Sequence, residues 1–324
     1  MDIYISVVDY LSRLPVLQGW SDALVLLEKF ASTQPRDWQL PILACEALGG
    51  TRAQAIPASA ALASAQIGII LIDDMLDLDP RGEYHQIGEG QAANFAASFL
   101  SAGSEAILQS DANPEIRLAG VQSLNRMIID TALGQFLDGQ TPQDEMAYWR
   151  VAETKSAPFF GTAIYLGALF GGASGGALER MEQFGRLYGE IIQIHDDVND
   201  TMAEPANPDW IQGRSPLPIL FAQLVEHAER SRFLELRHDI SNIDSLRDAQ
   251  QILIRCGAVS YCVDELLKRY RTAQSILDAI HLVRGEILGS LLHATVAPVL
   301  KLFEMLGSEP LDRATFLEQL EARE

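Results

Sequence analysis

The sequence predicts an all-α fold that forms a single domain over residues 1–324. Ala, Leu, Ile, Gln, Glu and Arg dominate, and most of these residues favour helices. Apolar residues recur at helical spacing, and no segment shows the strict alternation of a strand. Hydrophobic residues make up 48% of the chain, which is enough to bury a substantial core. We therefore expect a bundle of about ten or more helices.

Prolines, glycines and short polar runs divide the chain into helices. Three connecting segments carry most of the turn residues, namely "STQPRD", "DPRGEYHQIGEG" and "EPANPDWIQGRSP". The expected helices span residues 3–14, 20–32, 38–48, 53–78, 90–110, 114–138, 142–172, 176–202, 216–229, 245–255, 258–275, 277–305 and 312–322. No fixed-period repeat, low-complexity tract or linker interrupts this pattern.

The helix at 53–78 differs from the others in composition. Its stretch "PASAALASAQIGIILI" is rich in Ala, Ser and Gly and carries no charge. A helix that is apolar on every side lies inside a bundle or lines an apolar cavity. Its small residues leave room either for close packing or for a ligand, so we expect this helix at the centre of the bundle or beside a central apolar cavity.

Composition excludes some classes of partner. The chain has 24 basic and 44 acidic residues, a net charge of −20, whereas nucleic-acid binding depends on Lys and Arg. Residues 156–178 form the longest uncharged stretch, but its glycines and Pro158 indicate a buried, interrupted helix instead of a membrane span.

Cysteine usage and the N-terminus favour a cytoplasmic protein. Cys45, Cys256 and Cys262 have no metal-ligand spacing, and an odd number makes a poor disulfide framework. The segment "MDIYISVVDYL" lacks the basic start of a signal peptide.

Two aspartate motifs stand out, each after an apolar helical segment. The first is "LIDDMLDLDP", in which Asp73 and Asp77 share a helix face and Asp74 lies about 100° round the helix. The second is "GEIIQIHDDVND", with the same D-D-x-x-D spacing at Asp196, Asp197 and Asp200. Carboxylates beside apolar residues repel one another and resist desolvation. Mg²⁺ would remove that penalty, and facing helices of a bundle can hold metals between them.

These motifs resemble the hallmark of the trans-isoprenyl diphosphate synthase (polyprenyl synthetase) family. Further segments resemble family landmarks in the family's order: "CEALGG" (45–50), "GQFLD" (134–138), "KSAPFF" (155–160), "IIQIHDDVND" (191–200) and "DWIQGRSPLPIL" (209–220). The resemblance implies an isoprenoid synthase-type bundle. It also implies Mg²⁺-dependent ionisation of an allylic prenyl diphosphate and transfer of the prenyl group, by default to isopentenyl diphosphate.

The resemblance assigns roles to individual residues. The six motif aspartates would bind the metal ions: Asp73, Asp74, Asp77, Asp196, Asp197 and Asp200. Lys155 resembles the family's lysine on the allylic diphosphate, Gln193 its glutamine before the second motif, and Arg214 stands where a lysine is usual. Asp73, Asp77, Lys155, Gln193 and Asp196 are thus the expected catalytic residues. Gln135 and Asp138 are expected to order the site around them.

The segment that would bind isopentenyl diphosphate departs from the family pattern. "STQPRDW" offers Arg36 but no lysine, and Asp37 stands near the usual arginine position. Gln66 replaces a histidine, and the paired arginines after the first motif are reduced to Arg81. Arg36, Arg81, Lys155 and Arg214 are the expected diphosphate-binding cations. A prenyltransferase with another acceptor, such as a peptide side chain or an aromatic compound, would account for these departures.

Two further alternatives belong to other classes. Asp196, Asp200 and Glu204 fall at i, i+4 and i+8, a spacing that resembles the second metal motif of class I terpene cyclases, which use one substrate. A non-catalytic regulatory subunit is the third hypothesis, and two complete aspartate motifs argue against it.

The resemblance also carries expectations about chain length and assembly. Ala65, Gly68 and Ile69, just before the first motif, are expected to line the cavity, and none is a bulky aromatic. We therefore expect room for a C20 or longer chain. Family members are commonly homodimers, so a homodimer is expected.

Overall fold

The computed structural model describes residues 2–305, and within that range the chain forms α-helices and short 3₁₀ turns without any strand. The all-α prediction is confirmed. The helices are α1 (Ile3–Ser12), α2 (Ser21–Ser32), α3 (Leu40–Ala47), α4 (Arg52–Asp77), α5 (Tyr84–Ile87), α6 (Glu89–Leu108), α7 (Pro114–Asp138), α8 (Glu145–Lys155), α9 (Ala157–Phe170), α10 (Gly175–Thr201), α11 (Pro208–Ile211), α12 (Leu217–Leu224), α13 (Arg230–Leu236), α14 (Ile243–Arg255), α15 (Ala258–Asp278) and α16 (Glu286–Met305). The 3₁₀ turns are Arg36–Gln39 and Arg237–Asp239.

Most predicted helices are present with small shifts at their ends. The segment predicted as one helix over 142–172 forms two helices, α8 and α9, and the interruption expected from Pro158 is confirmed between them. The short helices α5, α11 and α13 were not predicted, since four to seven residues carry little periodicity. The predicted helix at 312–322 lies outside the described residues.

Helix α4 runs through the centre of the bundle. Thr51 and Gln54 form a capping box at its start, and it packs mainly against α6, with α1, α3 and α9 also in contact. Its small residues permit this close packing, and the buried hydroxyl of Ser64 donates to the carbonyl of Phe99 on α6 (2.6 Å). The helix ends at Leu78, whose φ of 54° is left-handed.

Among the described residues, α4 is the helix long and apolar enough to meet the usual criteria for a membrane span. It has 26 residues and a mean hydropathy of 1.9, and 72% of that apolar window is buried inside the bundle. Packing against its neighbours therefore already accounts for its apolar surface.

Helix α10 lies on the other side of the site, between α9 and α15. Both aspartate motifs occupy the last turns of their helices, α4 and α10. Backbone carbonyls give a helix C-terminus partial negative charge, so these carboxylates stand where charge of their own sign is already present. The fold thus places two groups of acids where an added cation would stabilise them.

Candidate active site between the two aspartate motifs

Two cavities meet between α4 and α10. The acidic cavity has a volume of about 360 Å³ and is lined by both aspartate motifs and by the loop after α10. The apolar cavity, about 370 Å³, has isoleucines and phenylalanines from α4, α7 and α9 in its wall, together with polar side chains. Asp73, Lys155 and Asp196 line both, so the two cavities adjoin at these three side chains.

The acidic cavity carries a large excess of negative charge. Eight aspartates line it, against three basic side chains: Arg81, Lys155 and Arg214. Such a site attracts cations and cannot accept an anionic ligand unless cations enter with it.

The first motif divides between two directions. Asp73 and Asp77 line the acidic cavity, whereas Asp74 does not and instead faces the loop at Asp79 and Arg81. Partial burial, followed by repulsion from Asp79 and Asp73, raises the pKa of Asp74 to about 6. The geometry sets Asp73 and Asp77 towards the second motif and Asp74 away from it.

The second motif divides in a similar way. Asp196 and Asp200 line the acidic cavity, as does Asp197, whose carboxylate the protein holds through hydrogen bonds. Burial among protein atoms, followed by repulsion from Asp200 and Asp37, raises the pKa of Asp196 to about 6. Both carboxylates are therefore held where their negative charge is poorly compensated by the protein.

Asp197, the middle residue, is buried and fully engaged by the protein. Its carboxylate accepts hydrogen bonds from the Tyr148 hydroxyl (2.8 Å), the Leu217 amide (2.7 Å) and Gln193 Nε2 (2.7 Å). Burial raises its pKa to about 6, although these hydrogen bonds act in the opposite direction. Asp197 therefore ties α10 to α8 and α12 while it lines the acidic cavity, and its role as a metal ligand stays a prediction.

Gln193 serves the same local network. Its Oε1 accepts a hydrogen bond from the Ser156 hydroxyl, and its Nε2 donates to Asp197. The side chain thereby connects the junction of α8 and α9 to the second motif.

Lys155 is placed by the break between α8 and α9. It ends α8, and its Nζ lies 2.7 Å from Asp138 Oδ2 and 3.9 Å from Asp73 Oδ1. Burial disfavours the ammonium form, but Asp138 and then Asp73 more than compensate, so the pKa of Lys155 is raised. Lys155 is thus a permanent cation at the junction of the two cavities.

A glycine on α7 makes this placement possible. A Cβ on Gly134 would lie 2.3 Å from the backbone nitrogen and 2.4 Å from the Cα of Lys155. The backbones of α7 and α8 therefore touch at this point, which brings Asp138, at the end of α7, against the Lys155 ammonium.

Arg214 connects the first motif to the loop after α10. Its Nη2 lies 2.5 Å from Asp77 Oδ1, and its Nη1 lies 3.5 Å from Asp209 Oδ1. Gln135 Nε2 donates a hydrogen bond to Asp77 Oδ1 (3.3 Å). Gln212 Nε2 donates one to the backbone oxygen of Asp77 (3.1 Å).

The two remaining cations proposed from the sequence lie further out. Arg81 lines the acidic cavity at its exposed edge, where it pairs with Asp79 (2.8 Å) and is 87% exposed. Arg36 is exposed on its 3₁₀ turn and lines neither cavity.

Glu204 does not continue the second motif as the spacing indicated. Helix α10 ends at Thr201, so Glu204 lies beyond the helix and binds Arg247 through both carboxylate oxygens (2.8–3.2 Å). The i, i+8 argument for a cyclase-type metal ligand was wrong, because the helical face it assumes ends first.

Of the three cavity residues predicted on α4, Ile69 lines the apolar cavity. Ala65 is fully buried, and a Cβ on Gly68 would meet Leu100 and the Ala96 carbonyl of α6 at 2.7–2.9 Å. Gly68 therefore serves the contact between α4 and α6 instead of the cavity. The opposite wall holds Thr131 and Gln135 of α7, whose Oγ1 and Oε1 have no hydrogen-bond partner among the described residues.

The donor set of the acidic cavity fits a hard divalent cation that binds together with a ligand. Among residues 2–305, no three Asp, Glu, His or Cys side chains converge closely enough to hold an ion alone. Mg²⁺ commonly keeps several waters and takes one or two carboxylates plus substrate phosphate oxygens. Carboxylates on two facing helices, with space between them, suit that mode of binding.

Several residues of the site were missed from the sequence. Asp209 pairs with Arg214, and Tyr148 holds Asp197, yet neither belongs to an aspartate motif. The segment "DWIQGRSP" contained a signal for Asp209, since an acid, a glutamine and an arginine lie within six residues of a turn. Tyr148 carried no local signal.

Comparisons with known proteins show the family and the fold. The model of the polyprenyl synthetase family matches residues 39–253. Geranylgeranyl diphosphate synthase from Methanosarcina mazei is 25% identical over 250 residues, covering 74% of this chain and 77% of that protein.

Solved structures share the fold. Geranylgeranyl pyrophosphate synthetase from the archaeon Geoglobus acetivorans superimposes with a TM-score of 0.77 at 20% identity, over 91% of this chain and 96% of that one. Polyprenyl synthase from Caulobacter crescentus CB15, complexed with calcium and isoprenyl diphosphate, gives 0.76 at 19% identity over 91% and 93%. Since the family model covers well over half of the sequence, the chain belongs to the polyprenyl synthetase family and is a prenyltransferase.

Proposed function

We propose that this prenyltransferase uses Mg²⁺ to ionise an allylic prenyl diphosphate and transfers the prenyl group to isopentenyl diphosphate, giving a C20 or longer prenyl diphosphate. The geranylgeranyl diphosphate synthases among its relatives support this substrate class. The divalent-metal dependence of the family and the calcium in the Caulobacter structure support a metal-dependent reaction.

One observation carries the proposal: an acidic cavity and an apolar cavity meet at Asp73, Lys155 and Asp196. An allylic diphosphate has a strongly anionic head joined to a long apolar tail. The head would lie with metal ions between the aspartate motifs, and the tail would fill the apolar cavity. The bond that breaks would then lie at the junction.

The chain's own groups contribute charge and exclusion of water. Lys155 and Arg214 are held by carboxylates, so they are oriented before the substrate arrives and can stabilise the negative charge that develops on the departing pyrophosphate. Bound Mg²⁺ would supply the remaining positive charge and neutralise Asp73, Asp77, Asp196 and Asp200.

The apolar cavity protects the allylic cation. Ile69, Ile128, Phe159 and Phe160 line it and present no nucleophile. The unpartnered oxygen of Thr131 in the same wall offers a lone pair to positive charge. These apolar side chains would limit the access of water to the cation.

Cyclisation of a single substrate is the second candidate function, but the residue that favoured it does not lie in the site. It rested on Glu204, which binds Arg247 outside the site. The two candidates differ in whether products require an acceptor.

The test is a product assay with purified protein. Mg²⁺ and C10, C15 or C20 allylic diphosphate are incubated with and without isopentenyl diphosphate, and products and pyrophosphate are measured by mass spectrometry. The proposal predicts longer diphosphates only when isopentenyl diphosphate is present. Release of pyrophosphate without it, giving a hydrocarbon or alcohol, would contradict transfer and favour the lyase.

Product length is expected to depend on Ile69. The variant Ile69→Trp fills part of the apolar cavity, so its main product should be shorter by at least one isoprene unit. Ile5→Trp is the matched control, because Ile5 is 64% exposed on α1, outside both cavities. An unchanged product distribution in Ile69→Trp would show that the tail does not pass this wall.

Metal binding is expected to weaken as the pH falls below about 6. The pKa values of Asp74, Asp196 and Asp197 are raised to about 6 by burial. In the metal-free folded protein these carboxylates keep their protons up to about pH 6, whereas the unfolded chain releases them above about pH 4. The free energy of unfolding of the metal-free protein therefore falls as the pH rises from about 4 to about 6. Mg²⁺ with pyrophosphate binds the ionised form.

The rise in Tm on adding Mg²⁺ and pyrophosphate should accordingly be larger at about pH 8 than at about pH 5.5. Differential scanning fluorimetry at the two pH values measures it, with EDTA-treated protein as the reference. An equal or larger rise at the lower pH would count against metal binding by the Asp196 carboxylate.

We further propose that the protein is a cytoplasmic homodimer. Helix α7 exposes Leu118, Ile129, Leu133 and Phe136, each 44–67% accessible, and exposed apolar side chains grouped on one helix often mark a protein–protein contact. Light scattering coupled to gel filtration would show a dimer, and a Phe136→Glu variant would favour the monomer.

A further inference from the structure

Asp37 is a carboxylate in the wall of the apolar cavity that belongs to neither aspartate motif. It lies on the 3₁₀ turn Arg36–Gln39, and it shares this wall with Gln66, Ile69 and Phe160. The other carboxylates that line the cavity, Asp73 and Asp196, are motif residues at the junction with the acidic cavity. Asp37 is thus separate from the proposed metal ligands in sequence and in role.

A chain of hydrogen bonds to buried residues fixes the position of the Asp37 side chain. Asp37 Oδ2 accepts a hydrogen bond from Gln66 Nε2 (2.8 Å), and Gln66 Oε1 accepts one from the indole of Trp38 (2.7 Å). Trp38 is fully buried, and its carbonyl accepts the Ser59 hydroxyl of α4. The chain Trp38–Gln66–Asp37 holds the carboxylate rigidly, because each member is oriented by the next.

No cation neutralises this carboxylate among the described residues. The charged groups that share the cavity wall are Asp73, Lys155 and Asp196, and Lys155 is engaged by Asp138 and Asp73. The neighbouring Arg36 is exposed and lines neither cavity. Burial raises the pKa of Asp37, and Asp37 in turn helps to raise that of Asp196, so the two carboxylates lie within electrostatic range across the cavity.

Prenyl transfer leaves a proton to be removed. The C1–O bond of the allylic diphosphate breaks and its electron pair leaves on pyrophosphate. The π electrons of the acceptor's double bond then form the new C–C bond to C1, which leaves a tertiary cation on the acceptor. A base then removes a proton from the carbon next to that cation, and the electrons of the broken C–H bond form the new double bond.

We propose that Asp37 is the catalytic base that takes this proton, an inference that rests on the proposed function. The carboxylate lies in the wall of the cavity that would hold the prenyl chain, within electrostatic range of Asp196 at the junction of the two cavities. It is not neutralised by an ion pair, and Gln66 acts as the positioning residue that keeps its second oxygen available. From Asp37 the proton passes to solvent as the product leaves.

The other polar groups of the cavity fit this role less well. Asp73 and Asp196 are assigned to metal, and the hydroxyls of Thr131 and Ser156 and the amides of Gln66 and Gln135 are weak bases. The remaining competitor is the departing pyrophosphate itself. An experiment must therefore separate Asp37 from pyrophosphate as the proton acceptor.

The test compares Asp37→Asn with Asp37→Glu and wild type, using C15 allylic diphosphate, Mg²⁺ and isopentenyl diphosphate that carries deuterium on the carbon that loses the proton. Asparagine retains the size and a hydrogen-bond acceptor for Gln66 but cannot take the proton. Elongated product from Asp37→Asn is expected to fall by about 10²-fold or more, whereas pyrophosphate release falls much less because ionisation does not use Asp37. Asp37→Glu restores part of the elongation.

Isotope and stability measurements complete the design. Asp37→Asn should show a primary deuterium isotope effect on elongation that wild type lacks, and a larger share of its prenyl groups should end as alcohol. Thermal unfolding of both variants verifies that they fold.

Three outcomes would overturn the inference. Wild-type elongation by Asp37→Asn, without an isotope effect, would assign the proton to pyrophosphate. Equal losses of elongation and pyrophosphate release would assign Asp37 to binding. Absence of any turnover by wild-type protein with C10, C15 and C20 substrates would refute the proposed function, and the inference with it.

Discussion

Asp73→Asn is expected to lower turnover by at least about 10³-fold, because the variant loses a carboxylate from the junction of the two cavities. Asparagine has nearly the same size, so the packing of α4 should be retained. Asp196→Asn removes the facing carboxylate and should have a similar effect. Steady-state kinetics at saturating Mg²⁺ and substrate would measure both, and their Mg²⁺ dependence should shift to higher concentration.

The matched control is Asp74→Asn. Asp74 belongs to the same motif but faces the loop at Asp79 and Arg81, outside the acidic cavity. Turnover of Asp74→Asn should therefore fall by no more than about 100-fold, the range found for residues that act on a metal site indirectly. Equal losses of turnover in Asp73→Asn and Asp74→Asn would show that activity does not depend on which aspartate of the motif faces the acidic cavity.

Gly134→Ala is expected to lower kcat by about 10²-fold although the residue touches no substrate. The added methyl group would lie 2.3–2.5 Å from backbone atoms of Thr154 and Lys155, and a helix backbone cannot move aside as a flexible side chain can. Helix α8 must shift, which displaces the Lys155 ammonium from Asp138 and Asp73. Misplacement of a substrate-binding group by about 1 Å is enough for a loss of that size.

Stability should fall as well, by about 1–3 kcal/mol. Kinetic assays are therefore made at a temperature where circular dichroism shows the variant to be folded. Gly139→Ala is the control, since its nearest neighbour would be the Phe136 carbonyl at 3.6 Å, an ordinary contact. A wild-type kcat in Gly134→Ala would contradict the role of this helix contact in placing Lys155.

The sequence was sufficient for the fold class and for the prediction that the two aspartate motifs face one another, since both line one cavity. Helix α7 begins and ends where predicted, because Asn113 and Pro114 form a strong start signal. The two aspartate motifs lie on facing helices, and the apolar composition of α4 indicated a central cavity. These features depend on local periodicity and on repeated spacing, both of which are visible in one sequence.

The orientation of individual carboxylates was not visible. Asp74 and Asp197 occupy equivalent motif positions, yet one faces a surface loop and the other is buried under Tyr148 and Leu217. Glu204 matched a spacing, but its helix ends before it. Each of these depends on where helices end and what packs beside them, which are tertiary properties.

We propose that the two cavities form one site for an amphipathic substrate. A crystal structure with Mg²⁺ and a non-hydrolysable allylic thiodiphosphate would test it most directly. The account predicts metal ions bound by Asp73 and Asp196 around the head group, Lys155 and Arg214 against its oxygens, and the tail between Ile69 and Phe160. A head group outside the acidic cavity, or a tail directed away from the apolar cavity, would contradict it.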